Sequence, residues 1–348
     1  MRYGPALGSR DLSVVDPAEA SPAIADPPRA WSWIAHACRW AIGLGLLVLA
    51  FRQVDAGRLL ASIRHVDAVW LLITFATVVL GIGLKGFRWK LLLRSVCPER
   101  PSSDVMGALL TGQAANILLP LRGGEAVRAM MMVPPSDGRT GAVLVGIGIE
   151  KAFDGLALAV VAALTLPLLP VGVSPQGATK LLAVGALLLA VAIGVGFLSP
   201  RAWARLRLRL GVPSGGVRDR LKKWLNTFSS SLEQLMRSGD LLPALLATFV
   251  IWSVMLATNL ALLRALGFPV AAGAAAMVLV AVHVALAPAL MPGNMGPFYF
   301  AVEFGLLTFG YAPELAALYA ILLHALVTIV PLLGAAMYLA AVRRRSGR

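Results

Sequence analysis

The sequence predicts an all-α polytopic membrane protein, with about six spanning helices and two re-entrant helical hairpins arranged as an inverted repeat. Three observations carry this expectation: apolar runs long enough to cross a bilayer, two further runs broken by Pro and Gly, and an uneven distribution of Lys and Arg. Of the 348 residues, 58% are hydrophobic and 14% charged. The mean hydropathy of +0.79 lies far outside the range of water-soluble domains. The formal charge of +14 does not signify nucleic acid, because the basic residues sit in short segments between apolar runs, as topology signals facing an anionic inner leaflet do.

Residues 1–30 carry Pro5, Pro17, Pro22, Pro27 and Pro28 among mixed charges with no apolar core, and read as a disordered tail rather than a signal peptide. A bilayer core of about 30 Å calls for about 20 apolar residues in a helix. Candidates near that length lie at 33–51, 67–93, 139–170, 177–198, 241–266 and 314–342. Two regions are interrupted. In 105–133, an apolar stretch to Leu119 meets Pro120 and then Arg122-Gly123-Gly124-Glu125, and a second short helix stops at Pro134-Pro135. In 271–310, the run to Leu290 meets Met291-Pro292-Gly293-Asn294-Met295-Gly296-Pro297, and a second short helix ends near Gly310.

Basic residues decide whether the interrupted regions cross. The segment 199–240 holds nine Lys and Arg and the tail 343–348 holds four, whereas 171–179 and 265–313 hold none. The first two are therefore expected to be cytoplasmic and the last two external. A single crossing by 271–310 would leave the C-terminus on the wrong side; a hairpin entering and leaving on the external face restores agreement. The same argument makes 105–133 a hairpin from the cytoplasm. Span–hairpin–span then occurs at 67–170 and, upside down, at 241–342, the inverted-repeat plan of carriers. A plain eight-span protein with Gly and Pro kinks is the alternative. Arg52, Arg58 and Arg64 fit poorly in a connection, 52–66, that this topology makes external. The stretch 201–237 spaces Val217, Leu221, Trp224, Leu225 and Phe228 helically among basic residues, as an interfacial helix would.

Several polar residues are candidates for a substrate path. At the first hairpin, the short helix opens with Arg122, Gly123, Gly124 and Glu125; free N–H groups and a cation at a helix start suit an anion. Arg128, three residues on, can pair with Glu125. Glu150 and Asp154 share a face of the 139–170 span, with Lys85 and Arg88 as natural partners; charges at such depth are expensive unless paired or used. A buried ion-pair network that only orients helices explains the same residues. The second hairpin offers Asn294, then Tyr299 and Glu303 on one face, with His324 of the last span able to face them. Cys38 and Cys97 read as packing thiols, and no metal, cofactor, nucleotide or hydrolase motif occurs.

Together, Lys85-Gly86-Phe87-Arg88-Trp89-Lys90-Leu91-Leu92, Pro120-Leu121-Arg122-Gly123-Gly124-Glu125-Ala126-Val127-Arg128, Glu150-Lys151-Ala152-Phe153-Asp154 and Pro292-Gly293-Asn294-Met295-Gly296 resemble the lysylphosphatidylglycerol synthase transmembrane, or flippase-like, family. The resemblance covers about 85–342. It implies a bacterial inner-membrane protein that moves a lipid or lipid-linked headgroup, expected here to be anionic, between leaflets. It also implies cytoplasmic termini and, as partners, membrane lipids such as an anionic phospholipid or a polyprenyl- or hopanoid-type lipid. Members that aminoacylate lipid carry a C-terminal transferase domain; this sequence ends at Arg348, so the expectation is a non-enzyme. Tyr299 stands where the family usually has an acidic residue, and His324 where it often has arginine. The rival expectations are a membrane accessory subunit of a lipid- or glycan-modifying enzyme and, further off, a membrane-embedded transferase.

Overall fold

The structure, a computed structural model, describes residues 29–119, 123–133, 139–170, 230, 233, 237–287 and 292–346. The expected span 177–198, most of the basic segment 199–240, Pro120, Arg122 and residues 1–28 of the expected tail lie outside them. The chain divides into two compact units, Met1–Cys38, of which helical residues 29–38 are described, and Arg39–Arg348.

All regular structure among the described residues is helical. The helices are α1 (Arg29–Phe51), α2 (Ala56–Ile63), α3 (Ala68–Leu93), α4 (Ser102–Leu118), α5 (Gly124–Met132), α6 (Thr140–Thr165), α7 (Leu241–Ala265), α8 (Ala272–Leu286), α9 (Met295–Leu307) and α10 (Pro313–Ser346). Among them α3, α7 and α10 are long and apolar enough to cross a membrane. The 26 residues of α6 match α3 in length, but Glu150, Lys151 and Asp154 interrupt its apolar character. Large side chains such as Val69, Leu72, Leu164, Leu242 and Met337 stand exposed around the bundle, as they do where the solvent is lipid.

Helix ends follow local chemistry. Asp67 caps α3 by accepting from the Val69 and Trp70 N–H groups, and Asp55 caps α2 by accepting from Arg58 N–H. Helix α2, which the sequence leaves as part of a connection, carries Arg58 toward Glu314 at the start of α10, 3.7 Å away. Gly267, at φ 73°, ends α7, with Phe268 N–H donating to the Leu263 carbonyl. Gly310, at φ 78°, ends α9 the same way, with Tyr311 N–H donating to the Leu306 carbonyl. Both are left-handed helix stops that favour glycine.

Both interrupted regions fold back on themselves: α4 packs against α5 and α8 against α9. The order helix–hairpin–helix therefore occurs twice, as α3–α4/α5–α6 and α7–α8/α9–α10. Packing between the halves is reciprocal. Helix α3 lies along α7, while α4 packs on α10 and its counterpart α8 packs on α6. The leading helices run antiparallel: Asp67 N–H donates to the Ala265 carbonyl at one end, and Arg94 pairs with Asp240 at 3.2 Å at the other. Equivalent helices that pair antiparallel make the repeat an inverted one. Each half has its own core, with Trp89, Leu93, Leu109, Met132 and Val143 in the first and Leu263, Val278, Val302, Leu306 and Tyr319 in the second.

Candidate functional site

The first group of candidates forms one buried ionic cluster where α3, α5, α6 and α7 meet. The four-residue spacing of Glu150 and Asp154 puts both carboxylates on the α6 face turned toward Arg88 of α3. Arg88 is buried and donates both terminal nitrogens to Asp154, at 2.6 and 3.2 Å. Its Nη1 also donates to Thr248 Oγ1 of α7 at 3.0 Å, and its Nη2 lies 3.2 Å from Glu150. Trp252 Nε1 donates to Asp154 at 3.3 Å. Arg128 of α5 reaches the same Glu150 with both terminal nitrogens, and its guanidinium sits 3.7 Å above the Trp89 ring. Such charges persist at depth only because planar, bidentate pairing replaces water.

At the first hairpin the pairing differs from the expected one. Glu125 and Arg128 each take a partner on α6 instead of each other: Arg128 takes Glu150, and Glu125 lies 3.3 Å from Lys151. The two glycines also divide their work. A Cβ on Gly124 would lie 1.9 Å from the Gly112 carbonyl oxygen, whereas one on Gly123 would meet nothing nearer than 3.8 Å. Gly124 N–H donates to Asn116 Oδ1 at 2.9 Å. Gly124 thus lets the arms α4 and α5 touch, rather than standing open to a ligand. Arg122 lies outside the described residues.

The second hairpin gathers its candidates at the start of α9. Asn294 caps this helix in a left-handed conformation, φ 50°, and its Oδ1 is buried without a hydrogen-bond partner among the described residues. Helix α9 begins at Met295, so Pro297 is its third residue. His324 Nε2 lies 3.0 Å from the Gly293 carbonyl oxygen, and the ring packs 4.8 Å from Phe298 and 5.5 Å from Tyr299. Tyr299 in turn meets Phe51 of α1 at 5.3 Å. Gly296 presses on α1, with its absent Cβ 1.8 Å from the Gly43 carbonyl oxygen. Glu303, two turns into α9, is buried with no cation in ion-pair range among the described residues.

Between the halves lies a cavity of about 240 Å³, walled by α3, α7, α8 and α10, with Gln113 of α4 and Phe298 of α9 contributing. Lys85 stands in its wall, one turn before Arg88. His283 of α8 lines it too, stacked 4.8 Å from Trp252, and so links the cavity to Asp154 through the indole. His283 Nδ1 pairs with the Leu279 carbonyl oxygen at 2.8 Å. Asn259, also in the wall, accepts from Tyr319 O–H at 2.6 Å through its Oδ1. The cavity therefore joins Lys85 to the ionic cluster on one side and reaches the second hairpin through Phe298, against which His324 packs. Thr248, Trp252, His283 and Gln113 join this site without a motif to announce them; only a polar residue inside an apolar run marks His283 and Gln113.

Comparison with known proteins finds a family model described as "Lysylphosphatidylglycerol synthase TM region" matching residues 37–335. A glycosyltransferase, AglD of Haloferax volcanii, is 25% identical over 128 residues, which cover 36% of this chain and 20% of that protein. The match thus spans about a fifth of the relative's length.

Proposed function

This chain belongs to the lysylphosphatidylglycerol synthase TM region family, and within it we propose that the protein moves a lipid or lipid-linked headgroup between the leaflets of the bacterial inner membrane. On this reading both termini are cytoplasmic and the protein acts as a carrier rather than an enzyme. The observation that carries the reading is the cavity between two antiparallel halves, polar at Lys85, Gln113, His283, Asn259 and two threonines, Thr77 and Thr258, and otherwise lined by apolar residues. A headgroup needs polar contacts at depth, while its acyl chains need none and stay in lipid. Inverted halves supply the second requirement, because rocking one against the other exposes a central site to either face in turn.

The proposal is tested by leaflet exchange of fluorescent phosphatidylglycerol in liposomes holding the purified protein, beside an Arg88→Gln/Asp154→Asn variant that removes both partners of one ion pair of the cluster. Exchange by the wild type and its loss in a folded variant is the expected result. Folded wild type that exchanges no tested lipid would sink the carrier reading. The second reading, a membrane subunit serving a lipid- or glycan-modifying enzyme, draws on the partial match to a glycosyltransferase. It predicts unchanged function in the double variant and loss on reversing Arg218, Arg220, Lys222 and Lys223.

A further inference from the structure

We infer that Lys85 selects cargo by charge: the central cavity takes an amphiphile whose polar group is a phosphate with net negative charge, and turns away aminoacylated, net-cationic lipids. The inference rests on the carrier reading and deepens it. The cluster holds four cations, Lys85, Arg88, Arg128 and Lys151, and three carboxylates, Glu125, Glu150 and Asp154. Arg88, Arg128 and Lys151 have carboxylate partners within 3.3 Å. Lys85 makes no direct ion pair or hydrogen bond among the described residues; Asp154, already bonded to Arg88, is the carboxylate that acts on it most strongly. The surplus cation is thus the one in the cavity wall. By the rise of a helix, eight residues place it about 12 Å inside the C-terminal end of α3. An ammonium ion at that depth costs several kcal/mol unless an anion joins it. The surroundings fix the kind of anion. Leu323, Val327 and Leu286 also line the cavity, an apolar lining that suits a headgroup followed by hydrocarbon and does not suit a fully hydrated free ion. Gln113 and His283 offer polar contacts, and the lining holds no carboxylate for an aminoacyl ammonium group among the described residues.

The test is retention of defined lipids by the detergent-solubilised full chain, read by native mass spectrometry. The probes are dioleoyl phosphatidylglycerol, its lysyl ester, and a dioleoyl lipid bearing trimethylammonium, with inorganic phosphate as a separate arm. Wild type is expected to retain phosphatidylglycerol at least about tenfold better than either cationic lipid, the scale of one charge-assisted hydrogen bond. Lys85→Gln is expected to erase that preference, Lys85→Arg to keep it and Lys85→Glu to invert it. Lys90→Gln, two residues beyond Arg88 in the last turn of α3, is expected to leave it unchanged. Equal retention of cationic lipid by wild type, or full preference in a folded Lys85→Gln, would overturn the inference. So would inorganic phosphate binding at millimolar concentration without lipid retention. Leaflet exchange on the same protein separates this inference from the carrier reading. Exchange blind to headgroup charge keeps the carrier and removes the selectivity; anionic lipid bound without exchange does the reverse.

Discussion

Glu150 carries more of the ionic cluster than its position in the sequence indicates. It serves Arg128 through two contacts and Arg88 through one, while among the described residues Asp154 forms a direct ion pair with Arg88 alone. Replacing Glu150 with Gln leaves Arg128 buried over Trp89 with no anion beside it. The uncompensated charge is expected to cost about 3–5 kcal/mol, read as a fall in the denaturation midpoint of the purified protein. Adding Arg128→Met should recover most of that loss, because the stranded cation is then gone. A double variant no more stable than Glu150→Gln would show that the pair does not act as a unit. Candidate residues were legible one by one wherever a charge stood inside an apolar run, as at Arg88, Glu150 and Asp154. Their pairing was not legible: Glu125 and Arg128 are three residues apart on one helix, yet α6 offers each a better-placed partner.

The hairpins explain why glycines in the broken segments are not equivalent. Gly124→Ala drives a methyl into the Gly112 carbonyl, whereas among the described residues Gly123→Ala makes only an ordinary contact with Leu119, at 3.8 Å. The first is expected to part α4 from α5 and cost about 1–3 kcal/mol, as overpacking does; the second is expected to be neutral within about 0.5 kcal/mol. Equal effects of the two substitutions on the denaturation midpoint would contradict the arm-to-arm contact. The breaks themselves were visible in sequence, since Pro and Gly interrupt apolar runs at both places. What the breaks do was less visible. A kinked span and a folded-back hairpin have the same composition, and only the packing of α4 on α5 and of α8 on α9 separates them.

At the scale of the whole molecule, the antiparallel pairing of α3 with α7 organises both halves. Thiol pairs introduced into a chain lacking Cys38 and Cys97 test it with a cross-linker about 10 Å long, the interaxial distance of packed helices. Residues 94 and 240 are expected to link, and so are 67 and 265, while 94 with 265 should not. Linkage of the last pair would mean that the halves run parallel. A link at either end of α3–α7 should spare leaflet exchange if the halves rock about this pair. The sequence by itself determined the solvent, the helical class, the places where helices break and the residues that are costly at depth. Each of these follows from local composition against a bilayer of fixed thickness. The distribution of basic residues already predicted inverted halves; only the tertiary structure decided which helices pair between them and that Arg128 answers Glu150. The structure alone showed that Lys85 lacks a direct ion pair among the described residues and that Thr248, Trp252 and His283 lie near the same cluster. Those facts depend on contacts between residues up to 198 positions apart, as for Asp67 and Ala265. No local pattern records them, because helices of nearly uniform hydropathy fit together equally well in many registers until small residues and charges choose one.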